Sequence, residues 1–312
     1  MTGISDLAGE LRSRGARTVA LQFPAGLKRR SVSVATALEN EGFSVIISGD
    51  PCYGACDLSL DLLGYADVLV HFGHTPLVRH PGVIYVPCPV DFDTGVVRNA
   101  IPFFSGKAIG LVTTVQHTHM LEDVARELRT SGFSVFISSG DERAPEPGQV
   151  LGCHFSAARI PGATDILYIG TGLFHPLGVS LAAGTRVVAL DPLTGEVTVV
   201  DPERFLRKRH AVIEKSRDAT VFGIIVSRKP GQNRYALAQR LTSLGRAAFL
   251  VFLDEVSPAE LLNLGFPAYV NTACPRLAYD DQIRFPVPVL TPLEFEILCN
   301  LRRWDEYRMD EI

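Results

Sequence analysis

This 312-residue sequence contains little that would place it in a membrane or send it out of a cell. It has no run of roughly 18 apolar residues, the length a spanning helix needs. Its start, Met-Thr-Gly-Ile-Ser-Asp, lacks the layout of a secretory signal, so we expect a cytoplasmic protein. Basic charge is not in excess: 30 Lys and Arg stand against 34 Asp and Glu, for a formal net charge of −4. That balance supplies no field to gather nucleic acid or an anionic bilayer, and neither is expected as a partner. The basic cluster Arg204-Phe-Leu-Arg-Lys-Arg209 is confined to one segment and reads as the solvated face of a helix. Cysteines number six, and without a secretory signal they do not suggest a disulfide framework. Core packing, redox chemistry and metal ligation remain for them. No GxGxxG follows the first strand of any unit described below, and Gly170-Thr-Gly172 alone is a weak nucleotide signal. The CxxxCxxC loop of the usual radical S-adenosylmethionine enzymes is missing too, since Cys52 and Cys56 have no third cysteine nearby.

What the chain does have is an internal repeat. Gly42-Phe-Ser-Val-Ile-Ile-Ser48 and Gly132-Phe-Ser-Val-Phe-Ile-Ser138 nearly match, and each follows an apolar run, Val19–Phe23 and Ile109–Thr113. A third copy starts at Phe222-Gly-Ile-Ile-Val-Ser227 and continues through Ala247-Ala-Phe-Leu-Val-Phe252. Repeats of this kind define the architecture before any single motif does. The first unit reads as strands 18–23, 43–48, 67–72 and 83–87, with helices near 27–40 and 57–64. The second reads as strands 108–113, 133–138, 165–170 and 186–190, with helices 118–130 and 154–159. The third reads as strands 221–227, 247–253, 267–271 and 287–290, with helices 232–244 and 258–264. A helix over 202–216 links the last two units. Continuous apolar strands alternating with helices predict an α/β protein of three similar parallel-sheet domains, covered on both faces. Their expected spans are 1–104, 105–217 and 218–312. Gly42, Gly132 and Gly245 stand where helices should stop. The polar, Pro-rich stretch Gly140-Asp-Glu-Arg-Ala-Pro-Glu-Pro-Gly148 is the best candidate for a mobile loop.

Each unit carries one cysteine just past a strand: Cys56, Cys153 and Cys274. In open parallel sheets, ligands bind outside the carboxyl ends of the strands. Domains packed with these edges inward could bring the three thiols to one point, where they would suit an iron–sulfur cluster or zinc. The plain alternative is that each is a small buried hydrophobe. Cys88 and Cys299 read that way, and Cys52 has no evident role.

The motifs Gln22-Phe-Pro-Ala-Gly-Leu27, Tyr53-Gly-Ala-Cys-Asp57, Val70-His-Phe-Gly-His74, Gln149-Val-Leu-Gly-Cys153, Phe174-His-Pro-Leu-Gly178, Lys229-Pro-Gly-Gln-Asn233 and Asn271-Thr-Ala-Cys-Pro-Arg276 occur in order across all three units. Together they resemble the archaeal 2-(3-amino-3-carboxypropyl)histidine synthases, which carry out the first step of diphthamide biosynthesis. The resemblance runs from about residue 19 to about residue 296. It implies a 4Fe–4S cluster on Cys56, Cys153 and Cys274, with one iron left free for S-adenosylmethionine. It implies cleavage of the bond from sulfur to the γ-carbon of the methionine moiety. The resulting 3-amino-3-carboxypropyl radical would attack a histidine of translation elongation factor 2. An external electron donor and a homodimer are implied as well.

Groups at the same strand-end edges are candidates to hold S-adenosylmethionine. Gln22, Pro24 and Gly26 follow the first strand of unit one, and His74 its third. Gln116 follows the first strand of unit two, Gly170, Gly172 and His175 its third, and Asp191 its fourth. Turn chemistry is the competing explanation for the Gly, Pro and Asp residues. Two rival functions share much of this pattern: quinolinate synthase, also three α/β domains around a cluster, and a non-catalytic iron–sulfur subunit. The quoted motifs favour the diphthamide enzymes, and a cysteine in every repeat speaks against a pure scaffold.

Overall fold

The computed structural model describes residues 3–77 and 79–312. Its core is three sheets with one strand order. In the first, β1 (Thr18–Gln22), β2 (Ser44–Ile47), β3 (Val68–Phe72) and β4 (Val83–Val86) run parallel in the order β2-β1-β3-β4. The second contains β5 (Ala108–Thr113), β6 (Ser134–Phe136), β7 (Asp165–Ile169), β8 (Arg186–Leu190) and β9 (Val197–Val199) in the order β6-β5-β7-β8-β9. The third contains β10 (Val221–Ser227), β11 (Ala247–Leu253), β12 (Ala268–Asn271) and β13 (Val289–Leu290) in the order β11-β10-β12-β13. Among the described strands only β9 is antiparallel; it pairs with β8 and was not foreseen from the sequence. Within each parallel set, the carboxyl ends of the strands share one edge.

Helices cover these sheets. α1 (Ile4–Ser13) and α2 (Ser31–Asn40) bury Leu7, Leu11, Val34 and Leu38 against Val19 and Leu21 of β1. The first turn of the expected 27–40 helix is instead a 3₁₀ segment, Ala25–Arg30. α3 (Leu121–Thr130) buries Leu121, Val124, Ala125 and Leu128 in the second core. Val97 and Ala100, from the connection after β4, lie in that same core. α4 (Phe174–Ala183) was hidden in the sequence by Pro176 and Gly178. Proline costs little there because it sits in the first turn, where its missing N–H would have no helical partner. Gly178 is required by packing, since a Cβ would lie 2.1 Å from the Phe155 ring.

The expected helix over 57–64 is only a 3₁₀ turn, Leu60–Gly64. The cause is local. The carbonyl of Asp57 accepts from Gln22 Nε2 at 2.7 Å, and Ser59 Oγ takes the other amide hydrogen at 2.9 Å, so the chain is held before a helix can form. The 154–159 helix likewise contracts to Ser156–Ala158. The third unit adds α6 (Tyr235–Leu241), α7 (Pro258–Leu264), α8 (Arg276–Tyr279) and α9 (Pro292–Leu298) after the connecting helix α5 (Glu203–Lys215). Gly42, Gly132 and Gly245 take positive φ of 93°, 83° and 86° where the preceding helices end, as their positions predict.

The basic segment on α5 is a solvated face with one correction: Arg209 turns inward and is 2% exposed. It meets Glu294 of α9, 0% exposed, through Nε–Oε1 and Nη2–Oε2 contacts of 2.7 and 2.5 Å. It also donates to the carbonyls of Ala278 and Val289. Removing one partner of a buried pair leaves a desolvated charge, which costs about 3–5 kcal/mol. Glu294→Gln keeps the shape and removes the charge, so its urea midpoint should fall by that equivalent with an unchanged m value. A loss below about 1 kcal/mol would contradict the assignment of a structural ion pair.

Candidate active site

The three strand-end edges meet at a cavity of about 270 Å³. Cys56, Cys153 and Cys274 all line it, one from each repeat. Cys56 follows β2 on a loop tied down by Asp57, whose carboxylate accepts from the Tyr53 N–H at 3.3 Å and from Lys229 Nζ at 3.0 Å. Lys229 belongs to the third unit, so this ion pair joins two repeats beside the cysteine. Cys153 sits between the 140–148 loop and the chain's last residues. Its carbonyl accepts from the Ile312 N–H at 2.9 Å, and Asp310 pairs with Arg234 at 2.6 Å. Cys274 begins the turn into α8, where its carbonyl accepts from Asn271 Nδ2 at 2.8 Å.

The three thiols are close enough to perturb one another, yet they are not close enough for one ion. Among the described residues, the one group of three potential ligands whose atoms all fall within 4.8 Å of each other is Cys52, His71 and His74. The cysteine trio is therefore wider than the spacing of about 3.8 Å between two thiolates on a single tetrahedral ion. Burial is the first cause pushing all three thiols above the usual thiol value. Cys274 reaches about 12, and the neighbouring thiols Cys153 and Cys56 add to that rise. Opposing groups are present at the other two. Gln232 Nε2 lies 3.4 Å from Cys56 Sγ, and Arg143 Nη2 lies 4.0 Å from Cys153 Sγ. A metal that binds here must displace protons.

Gly231 is the point where the three loops touch. Its N–H donates to the Cys56 carbonyl at 3.2 Å, and its own carbonyl accepts from Arg143 at 3.4 Å. Arg143 lies in the 140–148 loop that the sequence marked as mobile. The structure instead anchors that loop on Asp141, which accepts from the backbone of Arg143 and Ala144 and from His154 and Ser156. Arg143, Gln232, Gly231 and Arg276, which also lines the cavity, were not singled out as site residues from the sequence. Three of them stood inside quoted motifs, where the motif was visible and the role was not; nothing in the sequence pointed to Arg143.

Of the candidates for holding substrate, His74, Gln116 and His175 line the cavity. The others lie off it. Gln22 is fully engaged inside the first unit, donating to Asp57 and Ser59 and accepting from His71. Pro24 packs under Gly73, and Gly26 lies in the first turn of the Ala25–Arg30 3₁₀ segment, where a Cβ would meet nothing within 4 Å. Gly170 sits against the Tyr168 ring, Gly172 takes a positive φ of 74°, and Asp191 accepts from Leu193 and Thr194 N–H in a tight turn. Their contacts in this structure are those of turns and framework. Cys88 and Cys299 pack against the first and third cores, as expected.

His175 stacks on Tyr168 and, chiefly through burial, falls from 6.5 to about 4. Because the unfolded chain binds the proton more readily, stability is fully present above pH 6.5. It declines as pH falls towards 4, by roughly 3 kcal/mol for this one group. In the metal-free protein, His175→Gln should flatten that part of the stability profile. An unaltered profile would contradict a buried neutral imidazole.

A family model described as "Putative diphthamide synthesis protein" matches residues 23–308. The 2-(3-amino-3-carboxypropyl)histidine synthase of Pyrococcus horikoshii is 41% identical over 325 aligned residues, covering 99% of this chain and 92% of that protein. Subunit 1 of the enzyme of that name in Gallus gallus is 32% identical, covering 96% of this chain and 77% of that one. Among solved structures, Dph2 from Pyrococcus horikoshii with a 4Fe–4S cluster superposes with a TM-score of 0.94 at 40% identity, covering 100% of this chain and 94% of that one.

Proposed function

This chain belongs to the diphthamide synthesis family, and from that premise we propose that it is a 2-(3-amino-3-carboxypropyl)histidine synthase. It moves the 3-amino-3-carboxypropyl group of S-adenosylmethionine onto a histidine of translation elongation factor 2. The observation that carries this reading is the cysteine trio: one thiol from each repeat, on one cavity, spaced too widely for a single ion. Soft sulfur donors in that arrangement fit a 4Fe–4S cluster, and three of them leave one iron without a protein ligand. When bound, such a cluster supplies the electron that splits the sulfur–γ-carbon bond, giving methylthioadenosine and a 3-amino-3-carboxypropyl radical. Similarity to quinolinate synthase accounts for the domain plan alone and not for the family match.

The chain's own residues hold and screen this chemistry. Cys56, Cys153 and Cys274 are the proposed cluster ligands. Arg143 offsets thiolate charge at Cys153, and Gln232 does so more weakly at Cys56. His74, Gln116 and His175 are the proposed walls of the substrate pocket, with Gln116 fixed by donating to the Gly73 carbonyl at 3.2 Å. Both histidines are kept neutral by burial, so they offer lone pairs and ring faces rather than charge. Gln22 serves behind them, locking the first unit's loop. An external reductant provides the electron. No helix of the described residues is long and apolar enough to cross a membrane. A second copy of the chain is proposed as a partner, as the family resemblance implies.

Incubating the reduced, cluster-loaded protein with S-adenosylmethionine should release methylthioadenosine. If chromatography finds 5′-deoxyadenosine as the main product, the bond assignment is wrong.

A further inference from the structure

The cluster reading leaves Cys52 and His71 without a role and uses His74 only as a wall of the pocket. Cys52, His71 and His74 belong to the first unit alone, and their ligand atoms lie within 4.8 Å of one another. We propose that they form a second metal site, for a single zinc-class divalent ion, beside the cysteine trio and distinct from it.

Hydrogen bonding presets the imidazoles for this task. Both hydrogens of the Gln22 amide are committed, to the Asp57 carbonyl and to Ser59 Oγ. Its oxygen, 2.8 Å from His71 Nδ1, therefore has to accept. His71 thus carries its proton on Nδ1 and presents Nε2 as a lone pair, the arrangement typical of a metal-bound imidazole whose other nitrogen donates to a neighbouring oxygen. That Nε2 lies 2.9 Å from His74 Nδ1, a contact bridged by one proton. An ion would take the place of that proton.

Backbone geometry brings the third ligand within reach. His71 is in β3, and the turn at Gly73, with φ of 82°, folds His74 back over it. Gly73 packs so closely on Leu27 and Pro24 that a Cβ would lie 3.2 and 3.3 Å from their side chains, which fixes this turn. Cys52 is buried, and among the described residues its side chain hydrogen-bonds to the Gly54 carbonyl alone, at 4.0 Å, the outer limit for sulfur. A tetrahedral ion with bonds of about 2.0–2.1 Å to nitrogen and 2.3 Å to sulfur keeps its ligand atoms about 3.3–3.6 Å apart. Closing the present spacing to that value takes side-chain adjustments of about an ångström, with no rearrangement of β3. His74 also lines the cavity, so the candidate site borders it. One Cys and two His leave an open position of the kind catalytic zinc sites keep.

The probe is cobalt(II), titrated anaerobically into the full-length chain. Two backgrounds are needed: the cluster-loaded protein, and a Cys56→Ser/Cys153→Ser/Cys274→Ser variant in which cobalt cannot use the trio. Each should bind one cobalt per chain with a thiolate-to-cobalt charge-transfer band. Cys52→Ser, added to either background, should abolish the band and weaken binding at least tenfold, while circular dichroism stays unchanged. His74→Gln, at the cavity side of the site, should keep the band but weaken binding and shift the d–d spectrum. Persistence of the band in Cys52→Ser, or no stoichiometric uptake by the triple variant, overturns the proposal. Should Cys52→Ser fail to fold, the His74→Gln comparison decides: unchanged affinity and spectrum reject the site.

Discussion

Replacing Cys153 by alanine should reduce iron and sulfide to background and lower group transfer by about 100-fold or more. The thiol is one of three donors on a cavity that offers no substitute sulfur at that wall. The same loss is expected for Cys56→Ala and Cys274→Ala, because each repeat places one thiol on the cavity. Folding should survive, since no thiol of the trio belongs to a hydrophobic core cluster. Cys88→Ala and Cys299→Ala remove packing atoms instead and should keep both iron and turnover. A Cys153→Ala protein with full iron content and activity would reject the trio as ligands.

Gly231→Ala should be nearly as damaging although it removes no ligand. A Cβ at this position would lie 2.5 Å from Cys56 Cα and 2.6 Å from Cys56 Cβ. Contacts that short with backbone cannot be relieved by a side-chain rotation, so the Lys229–Asn233 loop must move away from Cys56. That movement breaks the Gly231–Cys56 hydrogen bond and the Arg143–Gly231 contact together, loosening the junction of all three repeats. Iron occupancy after reconstitution should fall several-fold, while the denaturation midpoint changes little. Gly49→Ala is the matched control on the Cys56 loop: its Cβ would meet nothing within 4 Å. Equal iron loss in both variants would show that the loop tolerates no change of any kind, and the junction argument would fall.

Much of this architecture is legible in the chain because it repeats. The apolar runs at β1, β5 and β10 are buried on both faces, and their lengths follow the hydrophobic pattern closely. The three cysteines were readable for the same reason: parallel strands put their carboxyl ends on one edge, so equivalent loops converge. What the sequence hid depends on contacts between distant residues. The 57–64 helix is cut short by the Gln22 amide, and α4 tolerates Gly178 because Phe155 fills its place. Arg143 could not be singled out because its value comes from the packing of the 140–148 loop against Cys153, and Pro and Gly there suggested mobility instead. Asp191 and Gly172 carry the opposite ambiguity, since residues that end strands make turns whether or not a ligand is near.

The central claim is that three thiols from three repeats assemble one cluster that directs cleavage of S-adenosylmethionine toward a histidine of elongation factor 2. The most direct measurement incubates anaerobically reconstituted, dithionite-reduced protein with S-adenosylmethionine and elongation factor 2, then maps the modified peptide by mass spectrometry. The account predicts one 3-amino-3-carboxypropyl group on one histidine, formed in step with methylthioadenosine and lost in Cys56→Ala, Cys153→Ala and Cys274→Ala alike. Transfer that persists in any of those three variants, or an unmodified histidine despite methylthioadenosine release, would contradict it.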